Sequence, residues 1–85
     1  MKATTHEISV VCFAGLRKFF PTELKTTVEE SYTYRDVLQH LARLQPGAKP
    51  VLKNCRVAVD EVFVDSDIPL DPTKTVFLIP PSSGG

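Results

Sequence analysis

Eighty-five residues with 42% apolar and 24% charged content describe one small globular domain, with no room for a second domain or for a large enclosed catalytic cleft. A chain of this size buries roughly 60 to 65% of its unfolded surface, enough to fold alone. Ten basic residues balance ten acidic ones and no basic cluster occurs, which argues against nucleic acid or an anionic membrane and for a protein as the partner.

In chain order, residues 7–14 are rich in β-branched and aromatic side chains and stop at Gly15, which predicts a strand whose near-continuous apolarity suits a central position. Residues 19–22, containing Pro21, read as a loop. Residues 23–28 then mix polar and apolar side chains as a second strand that pairs with the first in a hairpin. One clear helix follows, with Tyr34, Val37, Leu38, Leu41 and Leu44 forming an apolar stripe at three-and-four spacing. Thr33 is the expected N-cap, Asp36 completes a capping box, and Pro46-Gly47 supplies the stop. An irregular stretch is expected through Pro50. Residues 56–59 and 62–64 flank Asp60-Glu61 as a short hairpin, and residues 75–79 form a last strand.

One helix over one face of a five-stranded mixed sheet is an α+β, ubiquitin-like β-grasp arrangement. It places the first and last strands side by side at the centre as a parallel pair, with the helix in the crossover between strands two and three. The domain is expected to span residues 1–79, followed by a flexible tail over 80–85.

That tail, Pro80-Pro81-Ser82-Ser83-Gly84-Gly85, is the most informative stretch. Pro80 and Pro81 lack N–H donors and hold φ near −65°, so they end strand pairing and launch the chain in extended form. Six residues at about 3.3 to 3.6 Å each reach roughly 20 Å, enough to enter a site buried in a partner. Gly84 and Gly85 carry no Cβ to collide with a narrow channel, and the reactive group is expected to be the main-chain carboxylate of Gly85. On composition alone, the same ending would also suit a frayed polar terminus.

The segment Phe77-Leu78-Ile79-Pro80-Pro81-Ser82-Ser83-Gly84-Gly85 resembles the ending of the MoaD branch of the MoaD/ThiS sulfur-carrier family, which provides the small subunit of molybdopterin synthase. Phe13-Ala14-Gly15-Leu16-Arg17 resembles the family's Phe-Ala-x-x-Arg segment. Val57-Ala58-Val59-Asp60 and Asp67-Ile68-Pro69-Leu70 resemble its Val-Ala-Val-Asn and Asp-x-Pro-Leu segments. The chain departs from the pattern at Asp60, where Asn is usual, and at Asp71-Pro72-Thr73-Lys74, where Asp-Gly-Asp is usual.

The resemblance implies an activity. An adenylating enzyme of the ubiquitin-activating type (MoeB-like) uses ATP to join the Gly85 carboxylate to AMP, and sulfur replaces AMP to give a terminal thiocarboxylate. A large subunit (MoaE-like), in a heterotetramer with the carrier, then receives that sulfur for molybdenum cofactor biosynthesis. The carrier itself is expected to hold no metal or cofactor and to have little activity alone. Two other classes stay open: a ubiquitin-like modifier conjugated through Gly85, and an interaction domain with an incidental diglycine. Carriers serving thiamine, cysteine or tRNA-thiolation pathways are further candidates within the first class.

Docking requires apolar surface that one helix leaves uncovered. Alternation sets Ile8, Val10 and Cys12 against Val11 and Phe13, and Val76 and Leu78 against Phe77 and Ile79. Phe13, Phe63 and Phe77 are therefore candidates for a partner-binding patch, with Pro80 and Pro81 at its edge; the alternatives are loops folded over these rings or ordinary core. Arg17 is a weaker candidate, either for an acidic partner group or for organising the end of strand one. Cys12 and Cys55 have no second Cys or His at metal-ligand spacing and read as small hydrophobes. His6 and His40 have no nucleophile beside them. The longest apolar run is far too short to span a bilayer and no signal peptide is visible, so a cytoplasmic location is expected.

Overall fold

The computed structural model describes residues 4–81. Five strands form one mixed sheet: β1 (Thr5–Cys12), β2 (Glu23–Glu29), β3 (Arg56–Val59), β4 (Val62–Val64) and β5 (Val76–Ile79), in spatial order β2-β1-β5-β3-β4. β1 and β2 pair as an antiparallel hairpin, β1 and β5 run parallel at the centre, and β3 pairs antiparallel with both β5 and β4. This is the expected β-grasp topology.

Helix α1 (Tyr34–Leu44) crosses one face of the sheet. Its start is fixed by the expected capping box: Thr33 Oγ1 accepts from the Asp36 N–H at 3.3 Å, while the Thr33 N–H donates to the Asp36 carboxylate at 2.9 Å. Tyr34, Val37 and Leu41 are buried against Ile8, Val10, Cys12, Val57, Val76 and Leu78. The stripe is narrower than its spacing suggested, because Leu44, in the last turn, is 52% exposed.

β1 starts two residues earlier than expected, at Thr5, and β2 ends one residue later, at Glu29; three further local features differ from the sequence expectation. β1 ends at Cys12 rather than Ala14, because Phe13 is extended but Ala14 has φ 52 and begins a 3-10 turn, Ala14–Lys18. That turn buries Leu16. The supposedly irregular stretch contains a 3-10 turn, Pro46–Ala48, and a second helix α2 (Lys49–Lys53) that buries Leu52. Pro46 and Pro50 read as breakers, yet each sits in a first turn, where a missing N–H costs nothing. β5 starts one residue later than expected, at Val76.

The long connection from β4 to β5 is tied to the start of α1. The Arg35 N–H donates to Ser66 O at 2.8 Å, the Leu70 N–H to Tyr32 O at 2.9 Å and the Asp71 N–H to the Tyr34 hydroxyl at 3.2 Å. The segment with the unusual sequence closes as a β-turn, with Pro72 in its second position and the Lys74 N–H donating to Asp71 O at 3.2 Å. The Asp71 carboxylate accepts from both the Thr73 hydroxyl and its N–H, which lowers its pKa. The turn survives the sequence change because Asp and Thr side chains supply the local bonds.

Candidate functional site

The helices cover one face of the sheet and leave the other open. Along the open face the strand registers set Val11 opposite Phe77, Phe77 opposite Ala58, and Ala58 opposite Phe63. A single apolar row therefore crosses four strands. The Phe13 and Phe77 rings stack with centroids 6.2 Å apart and planes 24° from parallel. Phe63 is 48% exposed at the far end of the row, and small Ala58 is a low point between two rings.

The structure thus brings Phe13, Phe63 and Phe77 onto one surface, and among the described residues no loop folds over Phe63. Ile79 ends β5 on the same face, and half-buried Pro80 and exposed Pro81 follow with no strand pairing. The tail consequently leaves from the edge of the apolar row. The expectations for Gly84 and Gly85 lie outside the described residues.

Arg17 is exposed, and its Nε donates to the Cys12 carbonyl at 3.3 Å. Of its two expected roles, this contact matches organising the end of β1. The sequence reading missed Arg56 as a site residue. It opens β3 opposite Ile79, and its guanidinium carbon lies 3.9 Å from the centroid of the Phe63 ring. Counting alternate positions back from Ala58 would have placed Arg56 on the open face, but the contact with Phe63 depends on the hairpin register.

The two cysteines are poorly placed for nucleophilic chemistry. Cys12 is fully buried, and burial raises its thiol pKa. Cys55 is half-buried, donates its thiol to Val51 O at 3.3 Å, and is pushed up to about 11, chiefly by desolvation and secondarily by Cys12. Both thiols stay protonated near neutrality and are weak nucleophiles. His40 Nε2 lies 2.9 Å from Thr26 Oγ1, with its pKa lowered by desolvation and by Arg43. His6 Nε2 lies 3.3 Å from a Glu30 carboxylate oxygen. Among the described residues no three His, Cys, Asp or Glu side chains cluster as metal ligands, and no helix is long and apolar enough to cross a membrane.

A groove of about 350 Å³ opens on the helical side between α1 and α2, floored by Leu38 and Leu52 and rimmed by Arg35, Lys49 and Lys53. It lies across the sheet from the row that meets the tail. The open face with its tail exit, rather than this groove, is the better candidate site, because its apolar row runs to the point where the chain leaves β5 at Ile79 and Pro80.

No curated protein sequence matches the chain. Among solved structures, the HVO 2177 protein of Haloferax volcanii is 24% identical, with a TM-score of 0.80 over 95% of this chain and 88% of that one. A putative molybdopterin converting factor subunit 1 from Pyrococcus furiosus is 20% identical, with a TM-score of 0.77 over 91% of this chain and 99% of the other. A chain from the complex of subunits 1 and 2 of molybdopterin-converting factor from Helicobacter pylori is 20% identical, with a TM-score of 0.60 over 93% and 99%. These likenesses establish the shared fold. The family itself is shown by sequence: the ThiS family model matches residues 10–85, from the middle of β1 through the diglycine, and the chain belongs to that family.

Proposed function

We propose that this protein is a sulfur carrier acting as the small subunit of a molybdopterin synthase, with Gly85 as its working terminus. The observation that carries the reading is the continuous apolar row Val11-Phe77-Ala58-Phe63, which meets the base of a tail covered by the ThiS family match. A carboxylate is a poor electrophile. A ubiquitin-activating-type enzyme therefore spends ATP to form the Gly85 acyl-adenylate and release pyrophosphate. A sulfur nucleophile then displaces AMP and leaves a thiocarboxylate. The chain holds no cofactor for this and supplies docking and delivery.

The open face allows the division of labour that such chemistry needs. Phe13, Phe63 and Phe77 dock on the partner while Pro80 and Pro81 direct the remaining residues into its active site. The same surface would serve first the adenylating enzyme and then the large subunit, so the two complexes would be mutually exclusive. A partnered role draws support from the Helicobacter pylori neighbour, whose structure is a complex of two subunits. The choice of the molybdopterin branch draws on the Pro-Pro exit and on the Pyrococcus furiosus neighbour.

Intact-mass spectrometry after incubation with the cognate adenylating enzyme, ATP and a sulfur donor tests the reading. The expected product carries one sulfur in place of one terminal oxygen and transfers it when the large subunit and its pterin substrate are added. A much heavier isopeptide adduct would instead mark a protein modifier. An unchanged mass with active enzyme would overturn the proposal.

A further inference from the structure

We propose that Arg56, laid over the ring of Phe63, is the residue by which the adenylating enzyme recognises this carrier, through a carboxylate that the enzyme presents beside the base of the tail. This inference rests on the sulfur-carrier reading, since an enzyme that acts on the tail must cover the face from which the tail leaves.

Arg56 begins β3 directly opposite Ile79, the last residue of β5, so its side chain stands at the tail exit. The guanidinium carbon is 3.9 Å from the Phe63 ring centroid, and the ring is itself 48% exposed. Such stacking uses the flat face of the guanidinium and leaves in-plane N–H donors free for an outside acceptor. It also restricts a side chain that would otherwise lose considerable rotamer freedom on binding.

Three acids that flank or follow the β3–β4 hairpin are engaged elsewhere. The Asp65 carboxylate accepts from the Asp67 N–H at 2.9 Å, Asp60 pairs with Lys74, and Asp67 pairs with Arg35 at 2.6 Å. Among the described residues no carboxylate forms an ion pair with Arg56. A held, exposed and unpaired cation thus stands at the edge of an apolar row. The planar fork matches a carboxylate in two parallel hydrogen bonds, and covering the row would exclude water from that pair. Nucleic acid fits poorly, because its binding draws on several phosphate contacts and one cation on an apolar face supplies one. Arginines beside aromatic anchors are also the side chains that most often dominate binding energy at protein interfaces.

The test is ATP–pyrophosphate exchange by the cognate adenylating enzyme with the full-length carrier as the varied substrate. Arg56→Ala should raise KM for the carrier about tenfold or more with kcat little changed, and Arg56→Glu should raise it further. Arg56→Lys should remain impaired, because lysine keeps the charge but not the planar fork. Replacing the facing enzyme carboxylate by Lys should restore activity to Arg56→Glu. Exchange with the wild-type carrier but an unchanged KM for folded Arg56→Ala would overturn the assignment while leaving the sulfur-carrier reading intact. Failure of the wild-type carrier to support any exchange would overturn both.

Discussion

Phe13 and Phe77 stack across the central strand pair, with ring centroids 6.2 Å apart, on the face of the sheet that no helix covers. Stacked rings are a stable way to hold a flat apolar surface, worth about 0.5 to 1.5 kcal/mol beyond the area they bury. Both rings are partly buried by folding, and the surface each still exposes is available for association.

Phe77→Asp should therefore separate folding from docking. The variant loses one stacked pair and keeps the whole helical core, so its circular dichroism should match the wild type, with a melting temperature lower by several degrees. Its affinity for the large subunit or the adenylating enzyme should fall at least about tenfold by calorimetry, because a buried charge would face an apolar partner surface. A folded Phe77→Asp variant that binds both partners with unchanged affinity would remove the open face as the docking site.

How much of this was legible beforehand depended on the kind of signal. The open face was readable strand by strand, because alternation separates Val11 and Phe13 from Val10 and Cys12, and Phe77 and Ile79 from Val76 and Leu78, while the register that sets Val11 opposite Phe77 is what joins the two sets on one side. The helix was readable from its stripe and its Thr33–Asp36 cap. α2 was not, because Pro50 carries the same local signal in a helix's first turn as in a loop. Arg56 was missed for a different reason. Its meaning lies in a contact with Phe63 across the β3–β4 hairpin and a position opposite Ile79, both products of pairing register rather than of neighbours in sequence.

The turn between β3 and β4 carries strain that can be relieved. Asp60 and Glu61 adopt φ 54 and φ 65, the left-handed region demanded by a two-residue hairpin loop. Asp60 is suited to this and also pairs with Lys74, whereas Glu61 has no such compensation. Glu61→Gly should stabilise the domain by about 0.5 to 1 kcal/mol, the relief of strain outweighing the added freedom of the unfolded chain. Urea unfolding should show a higher midpoint at an unchanged slope. A lower midpoint would mean that Glu61 makes a contribution its backbone angle does not reveal.

Cys55 should give the domain an alkaline limit. Its thiol is pushed from the ordinary 9.0 up to about 11, so the folded chain holds this proton more tightly than the unfolded chain does. The resulting stability is fully present below about pH 9 and is lost as pH rises towards 11, because only the unfolded state gains by deprotonating there. Melting temperatures measured across this range should fall more steeply for the wild type than for Cys55→Ala. At pH 8, iodoacetamide should modify folded Cys55 about a hundredfold more slowly than the denatured chain, the ratio set by the thiolate fractions, with peptide mapping used to separate Cys55 from Cys12.

The reciprocal cap at Thr33 and Asp36 should behave as one unit. The Thr33 hydroxyl accepts from the Asp36 N–H, and the Asp36 carboxylate accepts from both the Thr33 N–H and its hydroxyl. Thr33→Ala or Asp36→Ala alone should each cost about 1 kcal/mol in urea unfolding. Either change removes most of what the other would, so the double variant should fall short of the sum by about 0.5 kcal/mol or more. The loss should extend beyond α1, since the Arg35 and Tyr34 N–H groups at this helix start donate to Ser66 O and Ile68 O in the connection leading to β5. Native-state hydrogen exchange should accordingly speed up at those two amides in either single variant. Strict additivity with unchanged exchange would show that the connection holds its place against α1 without the cap.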